Sequence, residues 1–71
     1  MENTLARRRM AAGLSQEDLA ARTGVSRQTI NAIERGRYEP RLALAFRLAE
    51  TFACRIEDLF TPDAETTGRD G

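Results

Sequence analysis

An all-α fold of five short helices is what this sequence predicts, on three observations. Apolar residues recur at three- and four-residue spacing and nowhere alternate as in strands. Glycines interrupt that spacing at Gly13, Gly24 and Gly36. Serines able to cap a helix, Ser15 and Ser26, follow two of these breaks within two residues. With 71 residues, 41% of them apolar, the chain has room for one small domain.

The first helix is expected within residues 2–12, with Leu5, Arg9 and Ala12 at helical spacing and Gly13 ending it. Ser15-Gln16-Glu17-Asp18 reads as a capping box opening the second helix, which turns Leu19 and Ala20 inward and stops at Thr23-Gly24. Ser26 caps the third, where Ile30 and Ile33 share one face before Arg35-Gly36. Tyr38-Glu39-Pro40 is expected to turn, with Pro40 near the start of a fourth helix. Along that helix Leu42, Ala45, Leu48, Ala49 and Phe52 form a stripe. A fifth helix at about Arg55–Phe60 adds Ile56 and Leu59. Leu14 and Val25 complete the expected core. The domain therefore spans 1–61, and the polar segment 62–71 is expected to be a disordered tail.

Composition narrows the function classes. The sequence has no histidine and one cysteine, so an internal disulfide, a Cys/His zinc site and histidine-based catalytic triads are ruled out. No carboxylate pair is framed by a pocket and no glycine-rich phosphate loop appears, so the expectation is a non-enzyme without cofactor, metal or small-molecule ligand. No apolar run is long enough to span a membrane and no signal-peptide pattern opens the chain, which points to the cytoplasm.

Net charge is zero, but it is unevenly spread. Residues 1–41 carry eight arginines and five acids, and residues 42–71 carry three arginines and six acids. Every basic residue is arginine, the side chain suited to forked contacts with phosphate and guanine, although genome composition explains the same bias.

The segment from Ser15 to Gly36 carries the functional signal. A helix, a tight turn at Thr23-Gly24-Val25 and a second capped helix have the pattern of a helix-turn-helix. Gly24 suits a left-handed turn position, Val25 plugs the angle between the helices, and Ala20 is small where they approach. The second helix opens on polar residues, and Arg27, Gln28, Asn31 and Ala32 lie opposite Ile30 and Ile33. Arginine pairs bidentately with guanine, and glutamine or asparagine with adenine, so this face suits major-groove readout. Gln16 begins the preceding helix, where backbone N–H groups and its carboxamide can hold a phosphate.

Leu14-Ser15-Gln16-Glu17-Asp18-Leu19-Ala20, Gly24-Val25-Ser26-Arg27-Gln28-Thr29-Ile30 and Ile33-Glu34-Arg35-Gly36-Arg37-Tyr38-Glu39-Pro40 together resemble the phage-repressor/Cro-type helix-turn-helix family. Ala45-Phe46-Arg47-Leu48-Ala49 and Ile56-Glu57-Asp58-Leu59-Phe60 extend the resemblance over residues 3–60. It implies a five-helix, lambda-repressor-like domain that regulates transcription, probing the major groove of double-stranded DNA with its third helix. A homodimeric repressor on a palindromic operator is the form implied. By the same resemblance Arg27, Gln28 and Ala32 fall at base-reading positions, joined by Asn31. Gln16, Ser26, Thr29, Arg35, Arg37 and Arg41 fall near the DNA backbone, and Arg9 and Glu34 match an internal salt bridge. Cys54 and Arg55 stand where the family more often has glycine and a small or polar residue.

Duller readings stay open beside these. Arg27 and Gln28 also suit a solvated helix surface, Arg35 and Arg37 suit a helix C-terminus, and Cys54 suits a half-buried apolar site. Phe46 lies off the fourth helix's stripe: it either folds onto helix five or joins Leu44 and Phe60 in an apolar patch for a second subunit. That patch, with the acidic half of the chain, also suits the same fold used as an antitoxin or docking module.

Overall fold

The computed structural model describes residues 2–61. It is mostly helical: α1 (Leu5–Ala11), α2 (Gln16–Thr23), α3 (Arg27–Glu34), α4 (Leu42–Thr51) and α5 (Ile56–Leu59), bracketed by strands β1 (Glu2–Asn3) and β2 (Phe60–Thr61). The segment 62–71, expected as a tail, lies outside the described residues.

The caps fix where α2 and α3 begin. Ser15 Oγ accepts from the Asp18 N–H and the Asp18 carboxylate accepts from the Ser15 N–H, both at 2.9 Å. This reciprocal box satisfies two amides that the helix leaves without partners. Ser26 Oγ accepts from the Thr29 N–H at 3.1 Å. α2 ends at Gly24, whose φ of 78° lies in the left-handed region. A Cβ there would meet only Arg47 Nη1 at 3.8 Å, so backbone conformation rather than space selects glycine. That reversal sets α3 against α2.

α4 ends in the same way with a different residue. The Ala53 N–H donates to the Glu50 carbonyl and the Cys54 N–H to the Ala49 carbonyl, the paired bonds of a Schellman motif. Its left-handed position is Ala53, with φ of 52°. The resemblance sets the family's glycine at Cys54, whereas the left-handed residue here is Ala53. Cys54 follows the reversal and packs partly buried against the core.

Leu5, Leu19, Ile30, Ile33, Leu48 and Leu59 form the fully buried centre. Val25, Phe52, Cys54 and Ile56 pack at its edge, and Leu14 is half-buried. Thr23 is buried as well, and its hydroxyl donates to the Leu19 carbonyl at 2.8 Å, so it leaves no orphan.

Several expectations are corrected. Leu42, expected in the core, is 67% exposed, whereas Leu44 and Phe60, expected on an exposed patch, are each 8% exposed. α4 buries Leu44, Ala45, Leu48 and Ala49. At about 100° per residue that stripe is centred roughly 90° away from Leu42. Leu42 and Phe46 share the flank it leaves open.

Helix α1 starts at Leu5 rather than near residue 2, because the residues before it are drawn to the far end of the domain. β1 and β2 pair antiparallel, Glu2 with Thr61 and Asn3 with Phe60. The Thr4 N–H donates to the Leu59 carbonyl at 2.9 Å and Thr4 Oγ1 to the Asp58 carbonyl at 3.0 Å. This ribbon, absent from the sequence expectation, pairs the backbone of Phe60 with that of Asn3. The turn expected at Tyr38-Glu39-Pro40 lies earlier, at 35–37, and 38–41 runs irregularly into α4.

Two stability predictions follow from the caps. Ala53→Gly relieves the left-handed alanine and should raise stability by about 1 kcal/mol, a Tm increase of roughly 4–8 °C in a thermal melt. The Ser15 backbone and side-chain hydrogen bonds, with a smaller contribution from Arg22, hold the Asp18 carboxyl below its ordinary 3.8. A depressed folded-state pKa contributes stability that is complete above the unfolded value and lost as pH falls through the folded one. Urea midpoints measured from neutral pH into acid should therefore fall less in Asp18→Asn than in the parent protein.

Candidate nucleic-acid interface

α2 and α3 are joined through Gly24, Val25 and Ser26, and the capping of α3 leaves its first turn on the surface. Ile30 and Ile33 anchor the buried side of α3, so the opposite side faces out. On that side Arg27, Gln28, Asn31, Ala32, Arg35 and Arg37 line one shallow depression of about 380 Å³. Arg27, Gln28, Arg35 and Arg37 are exposed, while Asn31 and Ala32 form its half-buried floor. Three guanidinium groups and two carboxamides thus converge, and no acidic residue lines the depression. Such a surface attracts an anion and offers hydrogen-bond donors and acceptors along one helix face.

The nearest acid in the sequence, Glu34, is turned away. Its side chain is 8% exposed and receives Arg9 Nε at 2.7 Å, while Arg9 Nη2 reaches its other oxygen at 3.3 Å. Arg9, 14% exposed, also donates from Nη1 to the Leu14 carbonyl at 2.9 Å. The pair joins α1 to the end of α3. Desolvation is tolerated here because the contact is two-pronged and the guanidinium has a further acceptor.

Gln16 opens α2 beside this pair. Its Nε2 donates to Glu34 Oε1 at 3.0 Å, and its Oε1 faces Arg27 Nη1 at 3.5 Å, the outer limit of a hydrogen bond. Ser26 and Thr29 lie at the same end of α3 with their hydroxyl oxygens 3.0 Å apart, so one hydroxyl proton serves that contact and the other is available outward. Arg41 is exposed at the start of α4 and does not line the depression.

Sequence reasoning paired Glu34 with Arg9 alone and missed its bond to Gln16. The two are 18 residues apart, and only the folded arrangement of α2 and α3 brings them together. Asn3 was also missed: its Nδ2 donates to the Ile33 carbonyl at 2.8 Å and its Oδ1 accepts from the Leu5 N–H at 3.2 Å. An asparagine two residues ahead of a helix was a signal for the second bond.

Comparison with known proteins agrees with this geometry. A helix-turn-helix family model matches residues 5–59. An uncharacterised HTH-type transcriptional regulator of Methanocaldococcus jannaschii is 55% identical over 60 residues, covering 84% of this chain and 91% of that one. A Bacillus subtilis regulator described in the same words is 42% identical, over 92% of this chain and 98% of its own. The chain belongs to the phage-repressor/Cro-type helix-turn-helix family. Among solved structures, the restriction-modification controller protein C.AhdI of Aeromonas hydrophila has a TM-score of 0.72 at 36% identity, covering 79% of this chain and 85% of that one. A hypothetical transcription factor of Neisseria has a TM-score of 0.73 at 27% identity, over 93% and 74% of the two chains. Family membership makes this protein a DNA-binding transcriptional regulator and not an enzyme. Among the described residues no helix is long and apolar enough to cross a membrane.

Proposed function

We propose that this protein is a sequence-specific repressor that binds a palindromic operator as a homodimer, with α3 in the major groove. The observation that carries the reading is the acid-free depression where Arg27, Gln28, Asn31 and Ala32 meet Arg35 and Arg37. Arg27, Gln28 and Asn31 have the donor and acceptor patterns that distinguish base pairs from the major groove, and the Ala32 methyl suits contact with a thymine methyl. Gln16, Ser26, Thr29, Arg35, Arg37 and Arg41 hold the adjoining phosphates, which set register and supply most of the affinity. The setting is the cytoplasm, where such an operator is exposed.

Dimerisation is assigned to the flank of α4 that carries Leu42 and Phe46, replacing the Leu44, Phe46 and Phe60 patch. Phe46 is 53% exposed one helical turn from Leu42, and Ile56 borders both the Leu42 and the Phe46 depressions. A two-fold contact of this kind lets two copies of α3 address successive major grooves about 34 Å apart. The same flank favours a second reading, docking of a different protein, which co-purification would reveal.

Site selection from random duplex DNA should return a palindrome. Arg27→Ala and Gln28→Ala should each relax preference at one position per half-site by about 1–3 kcal/mol. Arg37→Ala should instead weaken all sequences alike and reduce the salt slope by about one. A consensus unchanged by the first two variants would reject the assignment of base readers. Sedimentation of Phe46→Glu should give a monomer from a dimeric parent; a parent that stays monomeric on its operator would reject the two-fold contact.

A further inference from the structure

Glu34 has a second relationship besides its ion pair, and it reaches the recognition surface through a single side chain. Arg9 fixes the carboxylate from one side, through contacts at 2.7 and 3.3 Å. From the other side Gln16 Nε2 donates to Oε1 at 3.0 Å. A carboxylate can only accept, so this bond requires the carboxamide to present its nitrogen to Glu34. The oxygen must then point the opposite way, and Arg27 Nη1, which can only donate, lies 3.5 Å from it. Glu34 thus sets the rotation of the Gln16 amide, and the Arg27 contact is compatible with it. The exposure gradient runs the same way: Arg9 and Glu34 are largely buried, Gln16 is half-buried and Arg27 is exposed.

We infer that Glu34 is a positioning residue for DNA recognition, fixing the Gln16 carboxamide so that its oxygen orients Arg27 and its second N–H remains for a phosphate. This rests on the base-reading role proposed for Arg27. Glu34 itself never touches DNA. Its effect arises because a long arginine loses substantial rotamer freedom on binding, and a neighbour already oriented reduces that loss. Arg9 holds the carboxylate stationary, so the chain runs from the α1–α3 junction to the first turn of α3.

The test uses Glu34→Gln, which keeps the side chain's shape and an oxygen for Arg9 but can donate as well as accept, so it no longer dictates the Gln16 rotation. In the free protein, side-chain amide NMR should show the Gln16 carboxamide ordered in the parent and rotationally averaged in Glu34→Gln. On the operator selected by the parent, at a temperature where circular dichroism shows both proteins folded, the variant should lose about tenfold in affinity. That loss should fall on the base position where Arg27→Ala loses discrimination, while the position read by Gln28 is unaffected. A variant with lower Tm but an unchanged position-by-position profile makes Glu34 merely structural and overturns the inference. Equal Gln16 ordering in the two free proteins overturns it without reference to DNA. Failure of the parent to select any site would remove the base-reading role and this inference together, whereas a selected site whose profile ignores Glu34→Gln removes the inference alone.

Discussion

Glu34 ends α3, where the helix macrodipole is negative and a carboxylate is disfavoured by about 0.3–1 kcal/mol. It is accommodated because Arg9 meets it with two nitrogens and has a third bond to the Leu14 carbonyl. This contact does more than join α1 to α3. By drawing the one acid of α3 inward, it leaves a helix face whose only charges are the guanidinium groups of Arg27, Arg35 and Arg37. Packing and electrostatics are settled by the same side chain. A lost partner would leave a largely desolvated charge behind and an acid free to swing toward the cationic face.

The α2–α3 angle is the second constraint. Ser15 and Ser26 determine where the helices start, Gly24 supplies the reversal between them, and Val25 and Ala20 fill the junction. None of the helices is long enough to persist alone in water, so this junction holds only while Leu19, Ile30 and Ile33 are packed against Leu48 and Leu59. The arginine-lined depression on α3 is therefore a property of the whole core, although its residues come from little more than one helix.

Much of this was legible in the sequence because caps and reversals are local chemistry. Ser15 with Asp18, Ser26 with Thr29, and glycine at position 24 each act within a few residues, and helix-forming positions around them follow. Ala53 escaped notice because alanine carries no mark of a left-handed backbone; the Schellman bonds of α4 impose it. The exchange of Leu42 for Leu44 had a different origin. Both leucines fit a helical period, and only the placement of α2 and α5 against α4 decides which one is covered. The outward face of α3 could be inferred from Ile30 and Ile33, whereas the bond from Gln16 to Glu34 depends on how two helices lie in space.

The ribbon between Glu2–Asn3 and Phe60–Thr61 makes the two ends of the domain one mechanical unit. Thr4 reinforces the seam with bonds to Leu59 and Asp58, and Asn3 carries it on to the end of α3. If the first residues peel away, Phe60 loses its strand partner and the Ile33 carbonyl loses its side-chain donor in the same event. Fraying at Glu2–Asn3 is thus transmitted to Phe60–Thr61 and to the C-terminus of α3, so amide protons at all three places should exchange with solvent as a single cooperative opening.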